Sequence, residues 1–269
     1  ILKKLYFKRA YASFIKQQFK AAYSDASRAV ELGIKDENTY TICAYSALEL
    51  ELDQEALSYL DKLIRIKPYF LENYHKRGHL RDELGDLEGA IADHDFIIKK
   101  NPNKTQYYYC RARLHQKNQE SEKVLRDYTT VIEQQPEDFT GYFFRSQFYE
   151  GEGGVEQALQ DMKRAYALKP DNAKVYYGLA QLLSKNNQIK EALEILKKTE
   201  PQALEAEALQ LLVRLHCEKF ESSPEKQSPE AKERLLQLQK LLTPEDPLIQ
   251  RISTILEAKA PEKPQKTSD

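Results

Sequence analysis

Apolar residues recur at three- and four-residue spacing along most of the chain, a pattern that predicts amphipathic helices. Between residues 71 and 104, Tyr74, Leu80 and Leu84 mark one helix, and Ala90, Ile91, Ile97 and Ile98 mark the next. Turn formers separate such helices: Leu84-Gly85-Asp86, Gly151-Glu152-Gly153-Gly154 and Lys185-Asn186-Asn187-Gln188. Pro68, Pro102, Pro136 and Pro170 stand 34 residues apart. Each closes a second helix, because proline disfavours helical geometry in the residue before it and has no N–H for the ladder. The predicted unit is a helix, a tight turn, a second helix and a stop.

With the proline at position 32, six units follow: 3–36, 37–70, 71–104, 105–138, 139–172 and 173–206. The first and sixth lack the proline. Position 4 is tyrosine throughout: Tyr6, Tyr40, Tyr74, Tyr108, Tyr142 and Tyr176. Position 8 is small: Ala10, Ala44, Gly78, Ala112, Ser146 and Ala180. Position 20 is Ala22, Ala56, Ala90, Val124, Ala158 and Ala192. Small residues at 8 and 20 let two helix backbones approach closely, and the aromatic at 4 fills the wedge beside that contact. A fixed period of this length marks an array rather than one globular core.

The units resemble tetratricopeptide repeats, which share the length, the aromatic at 4, the small residues at 8 and 20, and the proline at 32. Residues 71–104 follow the pattern most closely. The second unit departs from it with Glu51 where glycine is usual, and the sixth ends early at Pro201. The resemblance implies an all-α solenoid of helical hairpins, a right-handed superhelix with a concave groove, and a role in binding peptides or protein surfaces.

Beyond residue 206 the period fades. A helix is predicted over 203–220, carrying Leu204, Leu209, Leu212, Val213 and Leu215, then a polar loop over 221–229. A second helix is predicted over 230–242 and a third over about 248–259, separated by Thr243-Pro244-Glu245-Asp246-Pro247. The first two read as a degenerate seventh hairpin and the third as a cap on the array, giving a segment 207–260; residues 261–269 read as a disordered tail.

Composition narrows the function. The chain has 269 residues and a net charge of −1, with pI near 6.6, which disfavours nucleic-acid binding. No apolar run approaches the roughly 20 residues a membrane helix needs, and no signal peptide is visible, so a cytoplasmic location is expected. The opening Ile1-Leu2-Lys3-Lys4 has no initiator methionine and reads as a processed form or an excised fragment. Cys43, Cys110 and Cys217 show neither zinc spacing nor a disulfide framework, and read as inert thiols. Ser13-Phe14-Ile15-Lys16 fits an S-x-x-K string without its companion motifs. The Gly151–Gly154 cluster lacks the lysine of a P-loop. His75 and His79 stand four apart on one helix but without an evident third ligand; His94 and His115 fall where residues pack. No enzyme activity, cofactor or metal is therefore expected.

Four units pair arginine at position 7 with aspartate at position 23: Arg9 with Asp25, Arg77 with Asp93, Arg111 with Asp127, and Arg145 with Asp161. An unpaired charge near the packed side is costly, so these read as ion pairs bracing each hairpin. Units two and six carry Cys43 and Tyr59, then Leu179 and Ile195.

The resemblance also implies which residues face a partner, through positions 2, 5, 6, 9, 12 and 13. These give Phe7, Tyr11 and Phe14 in unit one, Asn38 and Tyr45 in unit two, and His75, Lys76 and His79 in unit three. They give Tyr109 and Arg113 in unit four, Phe143, Phe144 and Gln147 in unit five, and Lys174, Tyr177 and Gln181 in unit six. No three successive units match the lysine–asparagine clamp with which some family members hold a chaperone's terminal carboxylate, so a co-chaperone of that type is disfavoured. The expected function is a protein-binding scaffold with an aromatic groove. The alternative is a regulatory or substrate-recruiting segment of a larger enzyme.

Overall fold

A computed structural model describes residues 1–198, 204, 206–221 and 228–257. Pro201, residues 222–227, the start of the helix expected from 203, residues 258–259 and the tail 261–269 lie outside the described residues. Fifteen helices and no strand are present among the described residues. The chain divides into two compact units, Ile1–Gln134 and Gln135–Asp269.

The first unit holds four hairpins: α1 (Leu2–Ile15) with α2 (Phe19–Glu31), α3 (Glu37–Glu49) with α4 (Asp53–Ile66), α5 (Leu71–Glu83) with α6 (Leu87–Lys100), and α7 (Thr105–Lys117) with α8 (Ser121–Gln134). The second holds α9 (Phe139–Gly151) with α10 (Val155–Leu168) and α11 (Ala173–Lys185) with α12 (Ile189–Leu196). It continues with α13 (Ala206–Glu221), α14 (Pro229–Gln239) and α15 (Pro247–Glu257). Within each unit a helix packs mainly on its hairpin partner and on the next helix in line, as in a solenoid. The last helix, α15, packs on both α13 and α14.

The packing follows the sequence columns. The residues at positions 8 and 20 are buried in all six hairpins. Tyr40, Tyr74, Tyr108 and Tyr176 are buried, while Tyr6 and Tyr142 are half-buried. Side-chain caps start several helices: Asp36 accepts from the Thr39 N–H at 2.9 Å, Asp86 from Gly89 at 2.9 Å, and Asn172 from Val175 at 3.2 Å. Ser228 caps α14, with Pro229 in its first turn. That helix ends at Gln239, so Leu241 and Leu242 lie beyond it and still pack on the core of the second unit.

Each interhelical turn places position 15 at positive φ: Gln17 (56°), Glu51 (56°), Gly85 (82°), Gln119 (59°), Gly153 (81°) and Asn187 (61°). Two of the six are glycine; the others carry a Cβ in the left-handed region. Gln119→Gly should therefore raise stability by up to about 1 kcal/mol, read as a higher urea midpoint with an unchanged helical spectrum; a lower midpoint would refute the strain.

The structure brings the four Arg–Asp combinations together. Arg9 Nε lies 2.5 Å from Asp25, Arg77 Nη2 2.5 Å from Asp93, Arg111 Nη2 2.5 Å from Asp127, and Arg145 Nε 2.7 Å from Asp161. Each arginine meets both carboxylate oxygens in a fork. Arg77 reaches on to Asp61 of the preceding hairpin at 2.5 Å, and Arg111 to Asp95 at 2.6 Å. Arg81 also contacts Asp93, at 3.0 Å. These links across hairpins were not part of the sequence pattern. In the second hairpin Cys43 and Tyr59 stand at the same two positions, with Tyr59 packed against the apolar cluster that holds Cys43, and burial pushes the thiol up to about 12.

Burial opposes charge on Arg111, yet its bonds to Asp127 and Asp95 hold its pKa raised. Arg111→Ala leaves Asp127, whose side chain is 2% exposed, without its partner, and should cost about 3–5 kcal/mol. Arg9 is 63% exposed, so Arg9→Ala should cost far less. Equal shifts in the two denaturation midpoints would contradict this.

Candidate functional site

The first-helix faces carry the aromatic residues that packing at position 4 leaves over. In the first unit, Phe7 is half-buried against Ala10, Ile42 and Cys43, and its ring lies 6.4 Å from that of Tyr11. Tyr11 is 53% exposed. Phe14, also half-buried, meets Phe19 edge-on. Tyr45 is half-buried, with the Lys76 ammonium 4.8 Å above its ring. Tyr109 is half-buried and 6.2 Å from Tyr128. Asn38 is exposed.

The basic residues of this face are already engaged. Lys76 lies 3.5 Å from Glu72 as well as over Tyr45. Arg113 lies 3.0 Å from the buried Asp82, which Lys117 also contacts at 2.5 Å. What the face offers outward is aromatic surface more than uncommitted positive charge.

His75 and His79 meet edge-on at 4.5 Å between ring centroids. The fold adds the ligands that spacing alone did not reveal, His94 from α6 and Cys110 from α7; one donor atom of each of the four lies within 4.8 Å of all the others. The expectation that His94 is a satisfied packing residue is corrected: its Nδ1 bonds the Ala90 carbonyl at 2.9 Å, but its buried Nε2 has no partner. His115, by contrast, is held by Glu120 at 2.6 Å.

In the second unit, Phe143 packs on the core and meets Phe144 at 5.6 Å. Phe144 is 38% exposed, and Gln147 and Lys174 are exposed. Tyr177 and Gln181 line a cavity of about 240 Å³ with Gln210, Leu211 and Arg214 of α13 and Leu248 of α15. Buried Asp246 accepts from Gln210 at 2.8 Å and from the Leu248 N–H at 2.9 Å, which fixes the entry to α15. The degenerate C-terminal helices thus supply walls that the repeat columns do not encode.

A family model described as tetratricopeptide repeat matches residues 151–215. The chain has the fold of a tetratricopeptide-repeat solenoid. Solved structures share the fold. A tetratricopeptide repeat protein from Parabacteroides merdae ATCC 43184 is 16% identical at a TM-score of 0.58, over 94% of this chain and 98% of that one. MamA from Desulfovibrio magneticus RS-1 is 24% identical at 0.51, over 62% and 93%. YrrB, a tetratricopeptide repeat protein with an unusual peptide-binding site, is 18% identical at 0.52, over 63% and 88%. No curated protein matches in sequence. No helix among the described residues is long and apolar enough to cross a membrane.

The second unit holds a further buried polar group at another cavity, of about 360 Å³, lined by Lys197, His216, Lys219, Phe220, Glu230 and Arg234. His216 Nε2 is buried without a partner. Burial above all, then Arg234, Lys219 and Lys197, pushes its pKa down to about 4. In the unfolded chain the imidazole titrates near 6.5. Above that pH both states are neutral; below it the unfolded state binds the proton first, so stability falls between about pH 6.5 and 4. His216→Leu should flatten the fall in melting temperature across this window relative to wild type; parallel curves would show that His216 does not titrate this way.

Proposed function

We propose that this chain is a protein-interaction scaffold whose first-helix face takes an extended peptide or a helix from a partner protein. The observation that carries this reading is the row of aromatic residues at positions 5, 6 and 9, additional to the tyrosines at position 4 that pack between helices. Aromatic rings present large contact area with few rotors to freeze, and they are enriched among residues that dominate binding energy. Their seats on closely packed helices keep them pre-organised. The fold shared with YrrB, described as having a peptide-binding site, supports the same reading.

Engagement of Lys76 by Glu72, and of Arg113 by Asp82, favours a ligand recognised by apolar and aromatic side chains over a strongly acidic one. Lys174, exposed beside the aromatic residues of the second unit, offers one cationic contact. The reading needs no catalytic group.

A peptide selected from a random library on the wild-type chain would serve as the probe. Tyr11→Ala tests the first unit and Phe144→Ala the second; both side chains are exposed, so neither change should unfold the array. Affinity measured by fluorescence anisotropy should fall at least about 30-fold in one of them, the loss expected of a dominant contact residue, with the helical spectrum unchanged. Undiminished affinity in both would move the binding surface off this face.

A further inference from the structure

We propose that His75, His79, His94 and Cys110 form a four-coordinate zinc site that ties the third hairpin to the fourth. The residues come from three helices of the first unit: His75 and His79 one turn apart on α5, His94 on α6 and Cys110 on α7. One donor atom from each lies within 4.8 Å of the other three. Donors around tetrahedral zinc stand about 3.3–3.8 Å apart, from metal–ligand bonds of about 2.0–2.3 Å. Side-chain movements of about 1 Å close the difference. The imidazole centroids are separated by 4.5, 5.7 and 6.1 Å, bracketing the roughly 5 Å expected where rings converge on one tetrahedral ion.

Two donors are already set for a metal. The Ala90 carbonyl takes the His94 Nδ1–H at 2.9 Å, which leaves the lone pair on Nε2, the ring atom that is buried without a partner. A backbone carbonyl holding the opposite nitrogen is the usual outer contact of a metal-bound histidine. His75 Nδ1 is likewise buried and unpartnered. Two such orphans in one cluster are costly if nothing meets them; a shared cation satisfies both.

The local sequence is unusual in the same places. Three of the five histidines of the chain fall in this one repeat. His94 occupies position 24, where the other repeats bury Ala26, Leu60, Tyr128, Met162 and Leu196. Opposite it, position 8 is Gly78, and a Cβ there would meet His94 Cε1 at 2.9 Å. The glycine makes room for the imidazole. Burial lowers the pKa of all three histidines, which keeps them neutral and able to ligate at neutral pH.

Three imidazoles and one thiolate suit zinc, and four protein ligands leave no open position, the signature of a structural rather than a catalytic ion. Binding releases the Cys110 thiol proton to solvent, since the thiolate is the ligand. His75, His79 and Cys110 are only partly buried, so the ion has a way in. This inference is independent of the partner-binding proposal.

The test uses the untagged full chain, stripped with a chelator, loaded with zinc and dialysed against metal-free buffer. Expected are one zinc per chain and a higher melting temperature than the stripped protein. Cobalt in place of zinc should give the visible bands of tetrahedral coordination and a thiolate charge-transfer band that Cys110→Ser abolishes; Cys43 and Cys217 are fully buried elsewhere. His79→Ala should weaken zinc binding by at least about tenfold, the scale of loss at perturbed metal sites. Should a variant fail to fold, the wild-type stoichiometry and cobalt spectrum decide alone. Wild-type protein retaining only trace zinc, or a cobalt complex without the charge-transfer band, would overturn the proposal. So would equal zinc retention in wild type and in both folded variants.

Discussion

Close approach of two helices at positions 8 and 20 sets the geometry on which the rest of each hairpin depends. With those residues fully buried in every repeat, the helix pair has a fixed separation and rotation. Position 7 then faces position 23 at ion-pair distance in four hairpins, position 4 fills one flank, and positions 5 and 9 line the other, where they reach position 24 of the partner helix in the third hairpin. The constraint is steric, so it tolerates different chemistry around it. Arginine and aspartate bridge four hairpins, while Cys43 and Tyr59 stand at the same two positions in a fifth, and Leu179 and Ile195 in the sixth. The hairpin does not require a salt bridge, in keeping with the narrow margin between the solvation a buried ion loses and the attraction it gains.

Much of this was legible in the sequence because a repeat shows its packing rules several times over. The tyrosine column, the small-residue columns and the periodic proline each mark a contact made within one hairpin or at its end. The covarying arginine and aspartate were readable for the same reason. What the columns hid are contacts unique to one place. Arg77 to Asp61 and Arg111 to Asp95 join successive hairpins, and the aspartates at position 25 form no column. α14 ends at Gln239, and Leu241 and Leu242 pack on the core beyond it, where a helical pattern in sequence continues straight through. The left-handed residue at position 15 recurs in every turn, yet it is glycine in only two, so its chemistry gives little sign of its backbone.

The candidate site was legible in part. Aromatic surplus at positions 5, 6 and 9 can be read from the chain, but the state of the neighbouring charges cannot. Lys76 and Arg113 look uncommitted in sequence, and in the folded chain each has an acidic neighbour: Glu72 one turn away, and Asp82 from the preceding hairpin. A partner must displace those contacts or ignore them. On the function proposed above, aromatic surface contributes more to recognition than these committed charges.

The histidine cluster shows the same limit from the other side. His75 and His79 share a helix, so their spacing was visible; His94 and Cys110 lie on two other helices, and only the solenoid stacking brings them near. Position 5 and position 9 of one repeat, position 24 on its second helix and position 6 of the next repeat form a corner where three helices meet. The same positions hold Phe7, Tyr11, Ala26 and Ile42 at the first hairpin and Thr41, Tyr45, Leu60 and Lys76 at the second, whereas the third gathers three imidazoles and a thiol, with Gly78 opening space for the extra ring. A set of imidazoles and a thiol confined to one corner, matched by a glycine on the facing helix and leaving two buried ring nitrogens unpaired, is hard to ascribe to packing alone.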